Sequence, residues 1–126
     1  MTYLKRKIDL FLIEWKENPD KKPLIVKGSR QIGKTESICH FGNAFYQNVI
    51  YINFVEEPKY RMITQDGYKT ADIIKNISVL NPSIRFIPEE TLIIFDEIQE
   101  FPDIATALKF FKIDGRFDVI CSGSML

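Results

Sequence analysis

Gly28-Ser29-Arg30-Gln31-Ile32-Gly33-Lys34-Thr35 fits the pattern G-x-x-x-x-G-K-[ST] without a mismatch. The spacing has a mechanical cause. Two glycines allow a tight backbone turn and the close approach of an anion, so that successive N–H groups converge on it. A helix starting near Lys34 adds its unpaired N-terminal donors and the positive end of its dipole. Lys34 is then placed to reach β- and γ-phosphates as a point charge, and the Thr35 hydroxyl to ligate Mg²⁺. With glycine at about 7% of residues in ordinary proteins, a chance match in a chain of this length arises roughly once in a few hundred sequences. The alternative is a glycine-rich surface turn, which requires neither a strand before it nor a helix after it. Both flank this loop: the apolar run Leu24-Ile25-Val26 precedes it, and Lys34 to about Phe45 has helical character, with Ile38 and Phe41 facing inward.

Working outward, Leu24-Ile25-Val26 suits a strand buried on both faces better than an alternating, half-exposed one. Asn48 to Val55 (NVIYINFV), rich in β-branched and aromatic residues and closed by Glu56-Glu57-Pro58, reads as a second strand. Lys59 to Asn81 is expected to hold two short helices split near Asp66-Gly67, the later one burying Ile73, Ile74, Ile77 and Leu80. Thr91 to Phe95 (TLIIF) is a third buried strand, closing on Asp96-Glu97. Pro102 and Asp103 open a helix that runs to about Ile113 and ends at Asp114-Gly115. Phe117 to Cys121 makes a fourth strand. Ahead of all these, Leu4, Ile8, Phe11, Leu12 and Trp15 recur at the spacing of one helix face between Tyr3 and Glu17, with Thr2 as N-cap and Asn18-Pro19-Asp20 as the stop. Strands alternating with helices imply right-handed crossovers. The expected fold is α/β: three layers, α/β/α, around a mostly parallel sheet of at least four strands. Residues 1–22 form an N-terminal helix and turn, and residues 23–126 the core.

Composition bounds the rest. A chain of 126 residues, 45% hydrophobic and 27% charged, is one domain's worth of sequence. Cys39 and Cys121 match no metal-ligand spacing and read as reduced thiols, and His40 is the single histidine, so no histidine-based metal site or triad exists. Lys5, Arg6 and Lys7 are followed by no apolar signal core, and no run is long enough to span a bilayer, so a cytoplasmic location without membrane contact is expected. The 17 Lys and Arg cancel the 17 Asp and Glu, which removes the general electrostatic argument for nucleic-acid binding. Phe41, Phe45, Tyr46, Tyr51, Phe54 and Tyr60 could form a base-stacking strip, but core packing explains them better.

A phosphate cradle does not by itself imply hydrolysis. That question falls to Asp96-Glu97, which emerge from Leu92-Ile93-Ile94-Phe95 at the carboxyl end of a buried strand, where ligands of α/β sheets bind. There Asp96 would hold Mg²⁺ through a water, and Glu97 would polarise the water attacking the γ-phosphate. The competing reading makes both of them solvated loop residues. Asn53, near the end of the second strand, either orients the attacking water or makes a local turn hydrogen bond. Ser122 and Ser124, after the fourth strand, are candidates for reading the γ-phosphate. Arg30 touches either phosphate or the sheet edge, and Gly28, Ser29, Gly33 and Glu36 complete the set expected around the nucleotide.

GSRQIGKT, then LIIFDEIQ, then VICSGS resemble, in order and spacing, the AAA+ ATPases, within the P-loop NTPases. The likeness is closest to a bacterial and archaeal group whose loop reads RQ-(V/I)-GKT and whose acidic motif continues as DEIQ. It spans about Pro23 to Leu126. The resemblance implies ATP and Mg²⁺ as ligands, hydrolysis that drives a conformational change, and the first strand beside the fourth, the third next and the second outermost. It casts Asn53 as the residue that switches Glu97, and Ser122 as the first sensor. Similar proteins continue with a fifth strand, a helical lid and usually a C-terminal domain. The chain is therefore expected to be an incomplete core whose loop strand lies at a sheet edge, open to self-association or to the missing C-terminal part. Two other functions stay open: a small-molecule kinase using the same cradle, and a module that holds nucleotide, or pairs through its edge, without turnover.

Overall fold

Short apolar strands separated by amphipathic helices can bury both faces of a sheet only if the helices divide between them. The computed structural model, which describes residues 3–28 and 33–123, has this arrangement. Its elements are α1 (Tyr3–Glu17), β1 (Leu24–Lys27), α2 (Lys34–Phe45), β2 (Asn48–Asn53), α3 (Thr70–Leu80), β3 (Thr91–Asp96), α4 (Asp103–Asp114) and β4 (Asp118–Gly123). The four strands form one sheet in the order β1-β4-β3-β2. Every pairing is parallel, so the sheet is wholly rather than mostly parallel. The order is the one that the family resemblance implied.

Alternation along each strand sorts the core into two layers. Ile50, Ile52, Ile93, Phe95, Val119 and Cys121 point to the face covered by α3 and α4, through Ile73, Ile77, Ile104 and Phe111. Leu92, Ile94 and Ile120 point to the other face and meet Leu12 of α1 with Ile38 and Phe41 of α2. The aromatics divide the same way. Phe41 packs among Trp15, Phe45 and Tyr46, whereas Phe54 packs on Phe95 and Phe101, so they form no single strip. Both cysteines are free thiols. Burial pushes the Cys121 thiol up to about 12.

Several boundaries differ from expectation. β1 is not buried on both faces: Leu24 and Val26 join the α1–α2 layer, but Ile25 is 39% exposed. β1 pairs only with β4 among the described residues, and its second face lacks the cover that α3 and α4 give the central strands. Phe11 does not share the buried stripe of α1 and is 53% exposed, while Leu12 is fully buried. The first of the two helices expected after β2 is a single 3-10 turn, Pro58–Met62. β2 stops at Asn53 rather than Val55, because the Asn53 side-chain oxygen accepts the N–H groups of Val55 and Glu56 and turns the chain. β4 runs past Cys121 to Gly123, since β1 and β3 flank it and pair with Ser122 from both sides. Thr2, the expected cap of α1, lies outside the described residues.

The seat of α2 is close. A Cβ built on Gly42 would lie 3.0 Å from Leu92 Cδ2 and 3.1 Å from Val49 Cγ2. Overpacking at such a contact costs about 1–3 kcal/mol, and a β-branched side chain on a helix adds to it. Gly42→Val is therefore expected to lower the unfolding free energy by about 3 kcal/mol. Urea unfolding followed by circular dichroism checks this, and an unshifted midpoint would show that α2 rides farther from the sheet.

Candidate active site

The register of the sheet builds the site. Asn53 pairs with Asp96, and Asp96 with Ser122, so these three residues lie in one row at the carboxyl ends of three adjacent parallel strands. Val26 of β1 completes the row, just before the chain enters the glycine-rich loop. A cleft of about 480 Å³ opens above it. Seven residues expected at a nucleotide site line that cleft: Gly33, Lys34, Thr35, Glu36, Asn53, Asp96 and Glu97.

At Gly33, which precedes the first turn of α2, the backbone is left-handed, with φ 68°. Among the described residues, no atom is found within 4 Å of the place a Cβ would take. Conformation therefore requires this glycine, and the space beside it is open. Gly28 also has positive φ, 145°. The first N–H groups of α2 precede its intrahelical bonds and face outward from the helix end. Lys34 is 2% exposed, and its ammonium donates to the Gly28 carbonyl at 3.0 Å. A neutral carbonyl offsets only part of the cost of burying that charge, which an anion in the cleft would compensate further. Ser29, Arg30 and Ser124 lie outside the described residues.

Asp96 is 4% exposed, and four donors meet its carboxylate. Ser122 Oγ and the Glu97 backbone N–H donate to Oδ1 at 2.5 and 2.8 Å. Thr35 Oγ1 and Tyr51 Oη donate to Oδ2 at 3.2 and 2.5 Å. Hydrogen bonds to a charged group are shorter and stronger than neutral ones, so four of them fix the position of this carboxylate. The contact between Thr35 and Asp96 brings two hard oxygen donors together, as a magnesium ion requires. The chemistry of this donor pair fits the expected ion.

Glu97 is 5% exposed and takes a left-handed backbone, φ 58°, an uncommon conformation for a residue with a Cβ. It opens a 3-10 turn, Ile98–Glu100, and Gln99 Nε2 donates to its Oε1 at 3.3 Å. Asn53 serves the turn through its oxygen, while its nitrogen donates to Tyr51 Oη at 3.3 Å. Ser122 is buried beneath Asp96 and reaches the cleft through it, not directly.

Sequence reasoning passed over Tyr51, Glu56 and Gln99. Glu56 lines the cleft beside Val55. Tyr51 sits two residues before Asn53 on the same strand face, a period-two signal that was available. Burial first, then its hydrogen bond to Asp96, pushes the Tyr51 phenol well above its ordinary value, so it remains a donor at neutral pH. Gln99 belongs to the quoted acidic motif, and its own carbonyl oxygen is buried without a partner among the described residues.

Among the described residues, no helix is long and apolar enough to cross a membrane. A family model described as an AAA domain matches residues 20–126. A search of curated proteins found no match.

Proposed function

Because the chain belongs to the AAA domain family, a family of nucleotide-binding ATPases, we propose that it binds ATP with Mg²⁺ and hydrolyses it, and that turnover drives a conformational change. One observation carries this reading: a buried ammonium, a hydroxyl–carboxylate pair and a strained glutamate share a single cleft at the carboxyl ends of parallel strands. In this reading Lys34, with the first N–H groups of α2 and the loop from Gly28 through Ser29 and Arg30, grips the phosphates. Thr35 directly, and Asp96 through a water, would hold a magnesium ion, which when bound would supply positive charge against the phosphate oxygens. Glu97 accepts a proton from the attacking water as the new oxygen–phosphorus bond forms and the bond to the β-phosphate oxygen breaks, with ADP leaving. Asn53 and Ser122 orient these groups.

Charge balance supports the metal requirement. Among the described residues, four carboxylates, Glu36, Glu56, Asp96 and Glu97, and one lysine, Lys34, line the cleft. Such a wall repels a free triphosphate and favours its magnesium complex. Tracking γ-labelled ATP tests the reaction. The expected outcome is free phosphate, produced only with Mg²⁺. Label transferred to an added acceptor would favour the kinase reading, and tight binding without phosphate release the non-hydrolysing module.

A further inference from the structure

The hydrogen bonds behind Asp96 have a direction that chemistry dictates. An ionised carboxylate only accepts, so the Tyr51 phenol gives its one proton to Asp96 Oδ2, at 2.5 Å. Its oxygen is then free to accept, and Asn53 Nδ2 donates to it at 3.3 Å. The Asn53 amide cannot be reversed, because its oxygen receives the backbone N–H groups of Val55 and Glu56 at 2.8 and 3.0 Å. A chain of fixed polarity therefore runs from the turn on the cleft wall, through Asn53 and Tyr51, to the carboxylate.

Position adds a second argument. Tyr51 pairs with Ile94, one row behind the Asn53–Asp96 pair on the same face of the sheet. Tyr51 lines a groove beside β2 and is not among the residues that line the cleft, so its phenol reaches Asp96 from outside that cleft. The two carboxylate oxygens are held differently. Oδ1 has Ser122 and the Glu97 N–H, whereas Oδ2 has Thr35 and Tyr51. A Thr35 hydroxyl that offers a lone pair to a metal ion can still donate its proton to Oδ2, so Tyr51 is the Oδ2 donor whose position does not depend on the ion.

We propose that Tyr51 is a positioning residue for the metal site: it anchors Asp96 Oδ2 from outside the cleft and ties that carboxylate to the turn at residues 53–56. This rests on the reading of the cleft as a magnesium–nucleotide site. Tyr51→Phe keeps the ring and deletes only the donor. The measurement is the Mg²⁺ concentration that half-completes binding of a fluorescent ATP analogue, alongside the affinity for that analogue in excess chelator.

Tyr51→Phe is expected to raise the Mg²⁺ midpoint roughly tenfold, the lower end of what losing a supporting hydrogen bond costs a metal site. The chelator affinity stays that of the wild type, which also reports an intact fold. An unchanged midpoint beside a magnesium-dependent wild type overturns the role of Tyr51 and leaves the nucleotide site standing. Equal losses with and without Mg²⁺ overturn it as well, since they mark a packing role. A wild type that takes up no nucleotide, or takes it up regardless of Mg²⁺, overturns both readings.

Discussion

Lys34→Ala is expected to weaken ATP binding roughly 100-fold or more, the equivalent of about two hydrogen bonds to a charged group. The reason lies in burial. Lys34 is among the largest fully enclosed side chains, yet its ammonium rests on the neutral carbonyl of Gly28. A charge held so is short of compensation, and an incoming phosphate supplies it without the lysine first having to shed bulk water. Truncation also leaves a void, so Lys34→Met is the matching control: it restores most of the volume without the charge. Both variants should bind equally poorly in titration calorimetry, with Lys34→Met unfolding at a higher temperature than Lys34→Ala because it fills the void. Wild-type affinity in either variant would mean that the loop from Gly28 does not grip phosphate.

Glu97→Gln should separate binding from chemistry. The substitution preserves shape and leaves intact the backbone N–H that donates to Asp96 Oδ1 at 2.8 Å. What disappears is the side chain's negative charge and with it the ability to take a proton. Phosphate release is expected to fall by about two to four orders of magnitude, the usual contribution of a positioned general base, with ATP affinity retained. The left-handed backbone of Glu97 points the same way. A residue with a Cβ held there costs of order 1 kcal/mol or more, and such strain gathers where a side chain must be aimed. Single-turnover rates beside equilibrium binding check the prediction. An unchanged rate would move the base elsewhere, and Glu56 on the cleft wall is the next carboxylate to substitute.

Local chemistry made much of the molecule readable in advance. Helix α2 and the three strands β2, β3 and β4 each carry their own signal of period, turn residues or β-branching, and each forms within a few residues of its expected place. The errors fall where a neighbour decides. Phe11 continues the apolar spacing of α1, yet that spacing marks a stripe and does not say where the covering surface ends. Ile25 is apolar on an apolar strand, but β1 has one covered face and its next-door residue Val26 takes it. Ser122-Gly123 has the composition of a turn and remains strand because β1 pairs with both residues and β3 with Ser122.

The candidate site divides in the same manner. By itself the amino-acid order determined which groups are available: two glycines with an invitation to positive φ, a lysine and a threonine at the head of a helix, and a pair of carboxylates after an apolar run. Spacing suffices for these because each is specified by its own short stretch of chain: a turn, a helix start or a strand end. The partners of Asp96 were decided only by the tertiary structure. Thr35, Tyr51 and Ser122 come from elements 61, 45 and 26 residues away along the chain. Strand order and register bring them onto one carboxylate, and register is a property of the packed sheet as a whole, since it is chosen by which faces of four strands can be buried together.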